Sequence, residues 1–255
     1  MLHERRTRIL DMIAAQRTVK VSQLTKEFDV SIETVRRDLE YLERHGHLQR
    51  VYGGAVLSNL YGQEPVYEHR ETARFPQKRA IGARAAQLLD DGDTLFVDVG
   101  TTTLEVVKCL QSKKDVTVIT NASLIAQAAV AAGCRVVMLG GEMRRGELSV
   151  SGFLCDAGLQ YFHANKAVLG VGGITLSGGV TDYHAEEANV RRTMIRRADR
   201  IIAVADSSKF GVTAMNEICP VEKLDFLVTD WTLPAKVAAQ YAEKGPQLVV
   251  ADSLD

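Results

Sequence analysis

The stretch S-I-E-T-V-R-R-D-L-E-Y-L, residues 31–42, decides the fold of the N-terminal part of the chain. Its apolar residues recur at helical spacing and form one stripe: Ile32, Val35, Leu39 and Leu42. Ser31 stands where a helix N-cap is expected, and Gly46 stands where the helix should stop. The stripe leaves Arg36 and Arg37 on the opposite side. The pattern therefore predicts an amphipathic helix that presents two adjacent arginines.

The segments around this helix predict a winged helix-turn-helix. Residues 2–16 and 22–28 have helical spacing, with a tight turn before the third helix. Residues 47–56 then alternate, and their paired glycines, Gly53 and Gly54, suit a short hairpin. Three helices followed by a hairpin are typical of this fold.

Arg36 and Arg37 have two interpretations. In a helix-turn-helix the second helix of the motif enters the DNA major groove, where an arginine can bind guanine or a phosphate. Alternatively, both arginines are surface residues that pair with acidic neighbours on their own helix, at Glu33, Asp38 or Glu40. The helix alone fits both interpretations, whereas the helix-turn-helix with its hairpin favours DNA.

The motif S-x-x-T-V-R-R-D-L, followed by L-x-R-V-Y-G-G-A at residues 48–55, resembles the DNA-binding domain of the DeoR family of bacterial sugar-metabolism repressors. The resemblance implies double-stranded operator DNA as a partner, and a structural role for Asp38. It also implies a recognition helix and a wing whose residues lie at the DNA: Ser31, Glu33, Thr34, Arg36, Arg37, Arg50, Tyr52 and Gly53.

Past residue 57 the pattern of the chain changes. Residues 1–57 hold ten Lys and Arg against eight Asp and Glu, whereas the remainder holds 21 against 24. Residues 58–76 are polar and are expected to be a linker between a winged helix-turn-helix, residues 1–57, and an effector domain, residues 77–255. A helix is predicted at residues 77–89. From Asp93 onward short apolar strands alternate with helices, which predicts an α/β domain with a mainly parallel sheet.

Polar residues follow several of these strands, and ligands of parallel sheets bind where the strands end. D-V-G-T-T-T, residues 98–103, combines a glycine, three hydroxyls and a helix N-terminus, which favours an anion such as phosphate. A threonine that only caps the helix is the alternative. Four polar strand ends together fit an alcohol-rich phosphorylated molecule. They supply these candidates: Asp98, Gly100, Thr101, Thr102, Thr103, Thr120, Asn121, Gly140, Gly141, Arg144, Asp206, Ser207 and Lys209.

The glycine-rich block at residues 170–192 adds two further candidates. Asp182 and Glu186 are expected to reach the same edge of the sheet, although a turn carboxylate and a surface residue are the alternatives. His184, between them, is expected to be an exposed loop residue. Five arginines follow and are expected to form a solvated or subunit-interface face: Arg191, Arg192, Arg196, Arg197 and Arg200.

The C-terminal part also resembles the sensor domain of the DeoR family, which looks like ribose-5-phosphate isomerase and coenzyme A transferase folds. Where the isomerase has an acid-rich D-G-A-D-E and then a lysine, this chain has G-V-G-G-I, residues 170–174. Isomerisation needs a positioned base, and that base is missing here. The expected function is therefore a transcriptional regulator, a repressor controlled by a phosphorylated sugar or polyol. The alternative is an isomerase-like enzyme with an accessory DNA-binding arm.

Several features exclude other classes. Four scattered cysteines without a C-x-x-C pair predict reduced thiols, with no metal and no cofactor. The absence of a long apolar run or a secretory signal predicts a cytoplasmic protein with no membrane contact. Helix-turn-helix proteins usually read two half-sites, so a homodimer or homotetramer is expected.

Overall fold

A computed structural model describes residues 2–16, 18–44, 48–57 and 64–254. The chain divides into two compact units, Met1–His69 and Arg70–Asp255. No helix in the described ranges combines the length and the apolar character that crossing a membrane requires.

The N-terminal unit has the predicted winged helix-turn-helix fold. Three helices and three strands follow in chain order: α1 Leu2–Gln16, β1 Thr18–Lys20, α2 Val21–Phe28, α3 Ile32–Arg44, β2 Leu48–Val51 and β3 Gly54–Leu57. The strands form one antiparallel sheet in the order β1-β3-β2. The sequence did not predict β1, because three residues are too few to show an alternating pattern.

The core of this unit confirms most of the predicted α3 stripe. Val35, Leu39 and Leu42 are buried with Ile9, Ile13 and Leu24 of the other two helices, among further apolar side chains. Ile32, however, is 48% exposed, so its predicted burial is wrong. It is the first residue of α3 and lies at the end of the helix, beyond this cluster.

Two helices precede the large sheet. The first, α4, spans Tyr67–Thr72, within the range expected to be the linker. The second, α5, spans Phe75–Ala86, so it begins two residues before the predicted start, with Pro76 in its first turn, where a missing N–H has no cost. Residues 58–63 of the expected linker lie outside the described residues.

The C-terminal unit is built on a seven-stranded sheet, as predicted for a parallel α/β fold. Its elements from residue 94 to residue 159 are β4 Thr94–Val97, α6 Thr101–Lys108, β5 Thr117–Thr120, α7 Ser123–Ala131, β6 Arg135–Met138, β7 Glu142–Arg144, β8 Ser149–Ser151 and α8 Phe153–Leu159. The remaining elements are β9 Ala164–Gly170, β10 Gly173–Thr175, β11 Gly179–Asp182, α9 Ala185–Arg196, β12 Ala198–Val204, β13 Asn216–Cys219, β14 Phe226–Asp230, α10 Ala235–Ala242 and β15 Gln247–Ala251.

The strand order of the large sheet is β15-β14-β12-β9-β4-β5-β6, with all neighbours parallel. The chain runs from β4 toward one edge of the sheet and from β9 toward the other. The point between β4 and β9 is therefore a topological switch point, where the ends of neighbouring strands leave a crevice for a ligand. Two smaller sheets, β7-β8 and β10-β11-β13, are antiparallel.

The large sheet is buried on both faces. In β4, Leu95 and Val97 join a cluster with Ile81 of α5 and Val106 of α6, whereas Phe96 joins the opposite cluster with residues of α8 and α9. This alternation explains why the strands read as continuous apolar runs. Because both faces are covered by apolar residues, the polar residues of the sheet gather at the carboxyl ends of its strands.

Candidate functional site

The start of α3 is fixed by its own side chains. Asp29 adopts a left-handed conformation at φ +48°, which makes the tight turn between α2 and α3. The Ser31 hydroxyl accepts a hydrogen bond from the Thr34 amide at 3.2 Å and lies 3.0 Å from the Thr34 hydroxyl. Ser31 is thus the predicted N-cap, which orients the helix that follows.

Arg36 and Arg37 are both exposed on α3, on the side opposite buried Val35 and Leu39. In the part of the chain that the structure describes, neither arginine forms an ion pair, so the predicted pairing with Glu33, Asp38 or Glu40 is not observed. Glu33 is also exposed. The two guanidinium groups are free to contact a partner.

Asp38 has the structural role that was predicted. Its carboxylate is 1% exposed and accepts hydrogen bonds from Arg5 Nε at 2.6 Å and Arg6 Nε at 2.8 Å. Arg6 also lies over the ring of Tyr41, 3.6 Å from its centroid. These contacts fix α3 against α1.

The wing is the hairpin of β2 and β3, and Tyr52 and Gly53 form its tip. Tyr52 is fully exposed, and Gly53 has φ +80°, a conformation that favours glycine. A Cβ at Gly54 would lie 2.1 Å from the Val19 carbonyl oxygen, so only glycine allows β3 to approach β1 this closely. Arg50 donates from Nε to Glu43 at 2.6 Å. Although partial burial raises the pKa of Glu43, the hydrogen bonds from Arg50 outweigh it and hold that pKa below its ordinary value.

At the switch point, the loop after β4 leaves the first turn of α6 without a side-chain cap. Gly100 occupies the N-cap position and supplies no side chain, and the Thr103 hydroxyl donates to the Gly100 carbonyl at 2.9 Å instead of accepting from an amide. The capping alternative for the threonines is therefore not observed. Thr101 and Thr102, which precede Thr103 in the first turn of α6, are also buried. An uncapped helix N-terminus of this kind favours an anion.

One buried arginine joins three carboxylates beside this loop. Arg191 Nε donates to Asp98 Oδ2 at 2.5 Å, and Arg191 Nη1 lies 2.5 Å from Asp182 Oδ2. Arg191 Nη2 lies 4.0 Å from Glu187 Oε2, whose other oxygen contacts Arg144 at 3.0 Å. All three carboxylates and Arg191 are less than 5% exposed. The expectation that Arg191 lies on a solvated or subunit-interface face is therefore wrong, because Arg191 is buried within the unit itself.

The acidic residue that α9 contributes to this cluster is Glu187 and not the predicted Glu186. Glu186 is exposed and does not belong to this cluster, whereas Glu187 accepts a hydrogen bond from Ser149 at 2.8 Å. The spacing of Glu187 and Arg191 could have revealed both residues, because it places them on the side of α9 that carries buried Ala188 and Ile195. His184 is half-buried, not exposed as expected, and lies 2.6 Å from Arg144.

Burial and charge oppose each other in this cluster. Burial raises the pKa of Asp98 to about 7, although Arg191 pulls it down, and the nearby Glu187 and Asp182 carboxylates add to the rise. Burial would lower the pKa of Arg191, but the three carboxylates hold it well above its ordinary value. Arg191 is thus permanently charged, while Asp98 titrates near neutral pH.

Two buried oxygens at this edge have no hydrogen-bond partner in the described structure: Asp98 Oδ1 and Asn121 Oδ1. The two residues follow β4 and β5 directly, and the register pairs the last residues of these strands, Val97 and Thr120. Thr120 itself accepts from the Ala122 amide at 3.1 Å, and Asn121 Nδ2 donates to the Val150 carbonyl at 2.9 Å. Because a buried acceptor without a donor is costly, these oxygens point to a ligand that donates hydrogen bonds.

A second polar group follows β12. Asp206 is buried and accepts from the Ser208 amide at 3.0 Å, and Ser207 accepts from Arg74 Nη1 at 3.0 Å. Burial would raise the pKa of Asp206, but Lys209, Ser208, Arg74 and Lys78 together hold it below its ordinary value. Arg74 and Lys78 did not figure among the predicted site residues. They come from the segment before and within α5, far from Asp206 in sequence.

The remaining candidates have other roles. Gly140 and Gly141 are exposed, and a Cβ at Gly141 would lie 2.4 Å from the Ser151 carbonyl oxygen, so this glycine allows β7 to pack against β8. At Gly170 an added Cβ would lie 3.3 Å from the Val99 carbonyl oxygen, and the Gly170 amide donates to Asp98 Oδ2 at 3.2 Å. A Cβ at Gly172 would lie 2.9 Å from the Thr181 carbonyl oxygen, and a Cβ at Gly173 would lie 2.4 Å from the Val212 carbonyl oxygen. The glycine run is thus explained by close packing around the cluster.

An exposed arginine pair on a winged helix, and a parallel α/β unit with buried polar groups at its switch point, define a ligand-responsive transcriptional regulator. Residues 5–59 match the DeoR-like helix-turn-helix domain, and residues 74–231 match the DeoR C terminal sensor domain. The chain belongs to the DeoR family of transcriptional regulators.

Relatives match along nearly the whole chain. It is 33% identical over 251 residues to the HTH-type transcriptional repressor GlcR of Bacillus subtilis (strain 168), a match that covers 98% of this chain and 96% of GlcR. It is 29% identical over 246 residues to the HTH-type transcriptional regulator GlpR of Haloferax volcanii, covering 96% of both chains. Among solved structures, ribose 5-phosphate isomerase from Plasmodium falciparum aligns with 53% of this chain and 52% of its own, at 14% identity and a TM-score of 0.40.

Proposed function

We propose that this protein is a repressor of a carbohydrate-metabolism operon, and that a phosphorylated sugar or polyol bound at the switch point changes its affinity for operator DNA. In this proposal residues 1–57 read the DNA, residues 58–76 are the linker, and residues 77–255 bind the effector. As a reader of chromosomal DNA it would act in the cytoplasm, as a homodimer or homotetramer on paired half-sites.

The observation that carries the proposal is the pair of buried acceptors without donors, Asp98 Oδ1 and Asn121 Oδ1. Hydroxyl groups of a polyol are donors of the right kind, and both acceptors lie at the ends of adjacent strands. Asp182 holds Arg191 in place and has further lone pairs for a hydroxyl.

The phosphate would bind at the uncapped first turn of α6, Thr101–Thr103, with Lys209 as its counter-ion. The helix N-terminus provides free amide groups and a favourable dipole. Lys209 is half-buried and lies within electrostatic reach of Asp206. A charge-assisted contact of this kind contributes about 1.5 to 3 kcal/mol.

The carboxylates of this site are held in place by Arg191, Arg144 and Ser149, and Asp98 Oδ1 is left to accept from a ligand hydroxyl. Asp98 and Asp182 are held by Arg191, and Glu187 by Ser149 and Arg144. A catalytic base for aldose–ketose isomerisation must instead face the carbon acid of the substrate. We therefore propose a sensor that binds its ligand without turnover.

The experiment is a thermal-shift panel of phosphorylated sugars, polyol phosphates and their unphosphorylated parents. A ligand that binds only the native state raises the melting temperature by mass action. We expect stabilisation by one or more phosphorylated compounds and a much smaller shift with the matching parent. A panel in which no phosphorylated compound stabilises the protein would contradict the proposal.

A further inference from the structure

The segment of residues 70–78, here called the strap, crosses the carboxyl edge of the large sheet. At one end the Arg70 guanidinium donates to Glu147, which lies between β7 and β8. At its centre Arg74 Nη1 donates to Ser207, which follows β12. The β7-β8 hairpin is bridged to Ala122 beyond β5, and β12 lies three strands from β5. The strap therefore passes the ends of β9 and β4, at the switch point.

Lys78 holds the strap in this position from within. Its side chain is 4% exposed, and Nζ donates to the Arg70 carbonyl oxygen at the end of α4. Arg74, between them, has a left-handed conformation at φ +54°, which turns the chain from α4 into α5. The carbonyl of Arg70 and the side chain of Lys78 thus close the strap into a compact loop.

The helix that carries Lys78, α5, packs against α6, whose first turn is the proposed phosphate position. A Cβ on Gly82 would lie 2.6 Å from the Glu105 carbonyl carbon, so α5 and α6 touch there. Both helices start at the carboxyl edge of the sheet. Lys78 and Thr101 each precede this contact by four residues, which is about one helical turn, so both lie on the carboxyl-edge side of it.

The burial of Lys78 favours an anion at its ammonium group, among neighbouring charges of both signs. Lys78 lies within electrostatic reach of Asp206, Lys209, Arg70 and Glu105, and burial lowers the pKa of its ammonium group to about 8. A buried ammonium group gains more from an arriving anion than an exposed one does.

We infer that Lys78 is a phosphate-contacting residue and that it exchanges the Arg70 carbonyl for the phosphate of the effector, which loosens the strap. This inference rests on the proposed function and adds a route for the signal. The strap includes the end of α4, and the chain before α4 leads to the DNA-binding unit. Loss of the contact between Lys78 and Arg70 would therefore reach that chain without any other change in the sheet.

Hydrogen–deuterium exchange of the full-length protein tests the inference, with inorganic phosphate as the probe and sodium chloride at equal ionic strength as the blank. We expect phosphate to speed exchange in the peptide over residues 67–74 by about two- to tenfold, the factor that corresponds to one lost hydrogen bond. In Lys78→Met, exchange should already be fast and phosphate should add nothing. Lys113→Met is the matched control, because Lys113 Nζ also donates to a main-chain carbonyl, that of Leu89, away from the strap.

Unchanged exchange of residues 67–74 with phosphate in the wild type, or a full phosphate response in Lys78→Met, would overturn the inference. The wild-type comparison decides the matter even if Lys78→Met fails to fold. If the protein binds a phosphorylated sugar in the thermal panel but exchange in residues 67–74 does not change, this inference is wrong and the proposed function stands. If the protein binds no phosphorylated compound, the proposed function is wrong as well.

Discussion

Arg191 Nε donates to Asp98 Oδ2 at 2.5 Å, and this contact joins α9 to the end of β4 at the switch point of the sheet. Both side chains are almost completely buried. Since the same guanidinium also contacts Asp182, one arginine fixes two carboxylates that come from different parts of the chain. Arg191 thus organises the candidate effector site.

Replacing Arg191 by Met should destabilise the protein by about 3 to 5 kcal/mol, because it leaves several buried carboxylates without their counter-ion. The matched control is Arg200→Met, at an exposed position, which should change stability by about 0.5 kcal/mol or less. Urea unfolding followed by circular dichroism measures both. Equal unfolding midpoints for the two variants would show that Arg191 is dispensable to the cluster.

Effector affinity should depend on the ionisation of Asp98. Its pKa of about 7 means that the carboxylate is mostly protonated at pH 6 and mostly ionised at pH 8. A ligand hydroxyl donates to the ionised form, so affinity should rise with pH across this window, by up to about tenfold from Asp98 alone. Calorimetric titration at several pH values measures it. The ligand phosphate also titrates near pH 6, so the quantity to compare is the difference between wild type and Asp98→Asn. Identical pH profiles for the two would contradict the assignment.

Much of the fold follows from local sequence patterns. The period of 3.6 in α3 and the apolar runs of the parallel strands predict those elements, because each buries a regular set of side chains. The short strands β7, β8, β10 and β13 lack such a period. They are specified by their pairing with neighbouring strands, as when β13 places Asn216 opposite Asp182 of β11.

The candidate site could be predicted only where it follows the strands. Asp98, Asn121 and Asp206 are found at strand ends, as the rule for parallel sheets requires. Arg191 and Lys78 were missed, since an arginine in a basic helix and a lysine after a polar segment resemble surface residues in sequence. Their burial results from carboxylates that only the tertiary structure brings near.

The recognition helix makes a prediction for DNA binding. Arg37→Ala should weaken specific operator binding by about 1 to 3 kcal/mol and leave the fold intact, because Arg37 is exposed and forms no ion pair within the described ranges. Arg135→Ala, at an exposed position of β6, is the control for the lost charge. A gel-shift assay at fixed salt compares the two. Binding by Arg37→Ala that equals that of the control would remove Arg37 from the DNA surface.

The sensor should bind without catalysis. We expect no aldose–ketose interconversion of ribose 5-phosphate above a heat-inactivated control, since Asp182 and Glu187 are engaged with Arg191, Arg144 and Ser149. A coupled assay for the ketose product measures this. Turnover that scales with the concentration of folded protein would show that a base is available after all.

The central claim is that effector binding at the carboxyl edge sets the affinity for DNA, and operator release tests it most directly. An operator fragment selected with the purified protein is labelled, and its fluorescence anisotropy is followed while the best phosphorylated ligand of the thermal panel is added to wild type and Lys209→Ala. The two proteins should bind DNA equally without ligand, whereas Lys209→Ala should need about ten- to hundredfold more ligand for the same change, because it lacks one charge-assisted contact. Identical ligand dependence of the two proteins, or DNA binding that no phosphorylated ligand alters, would contradict the account.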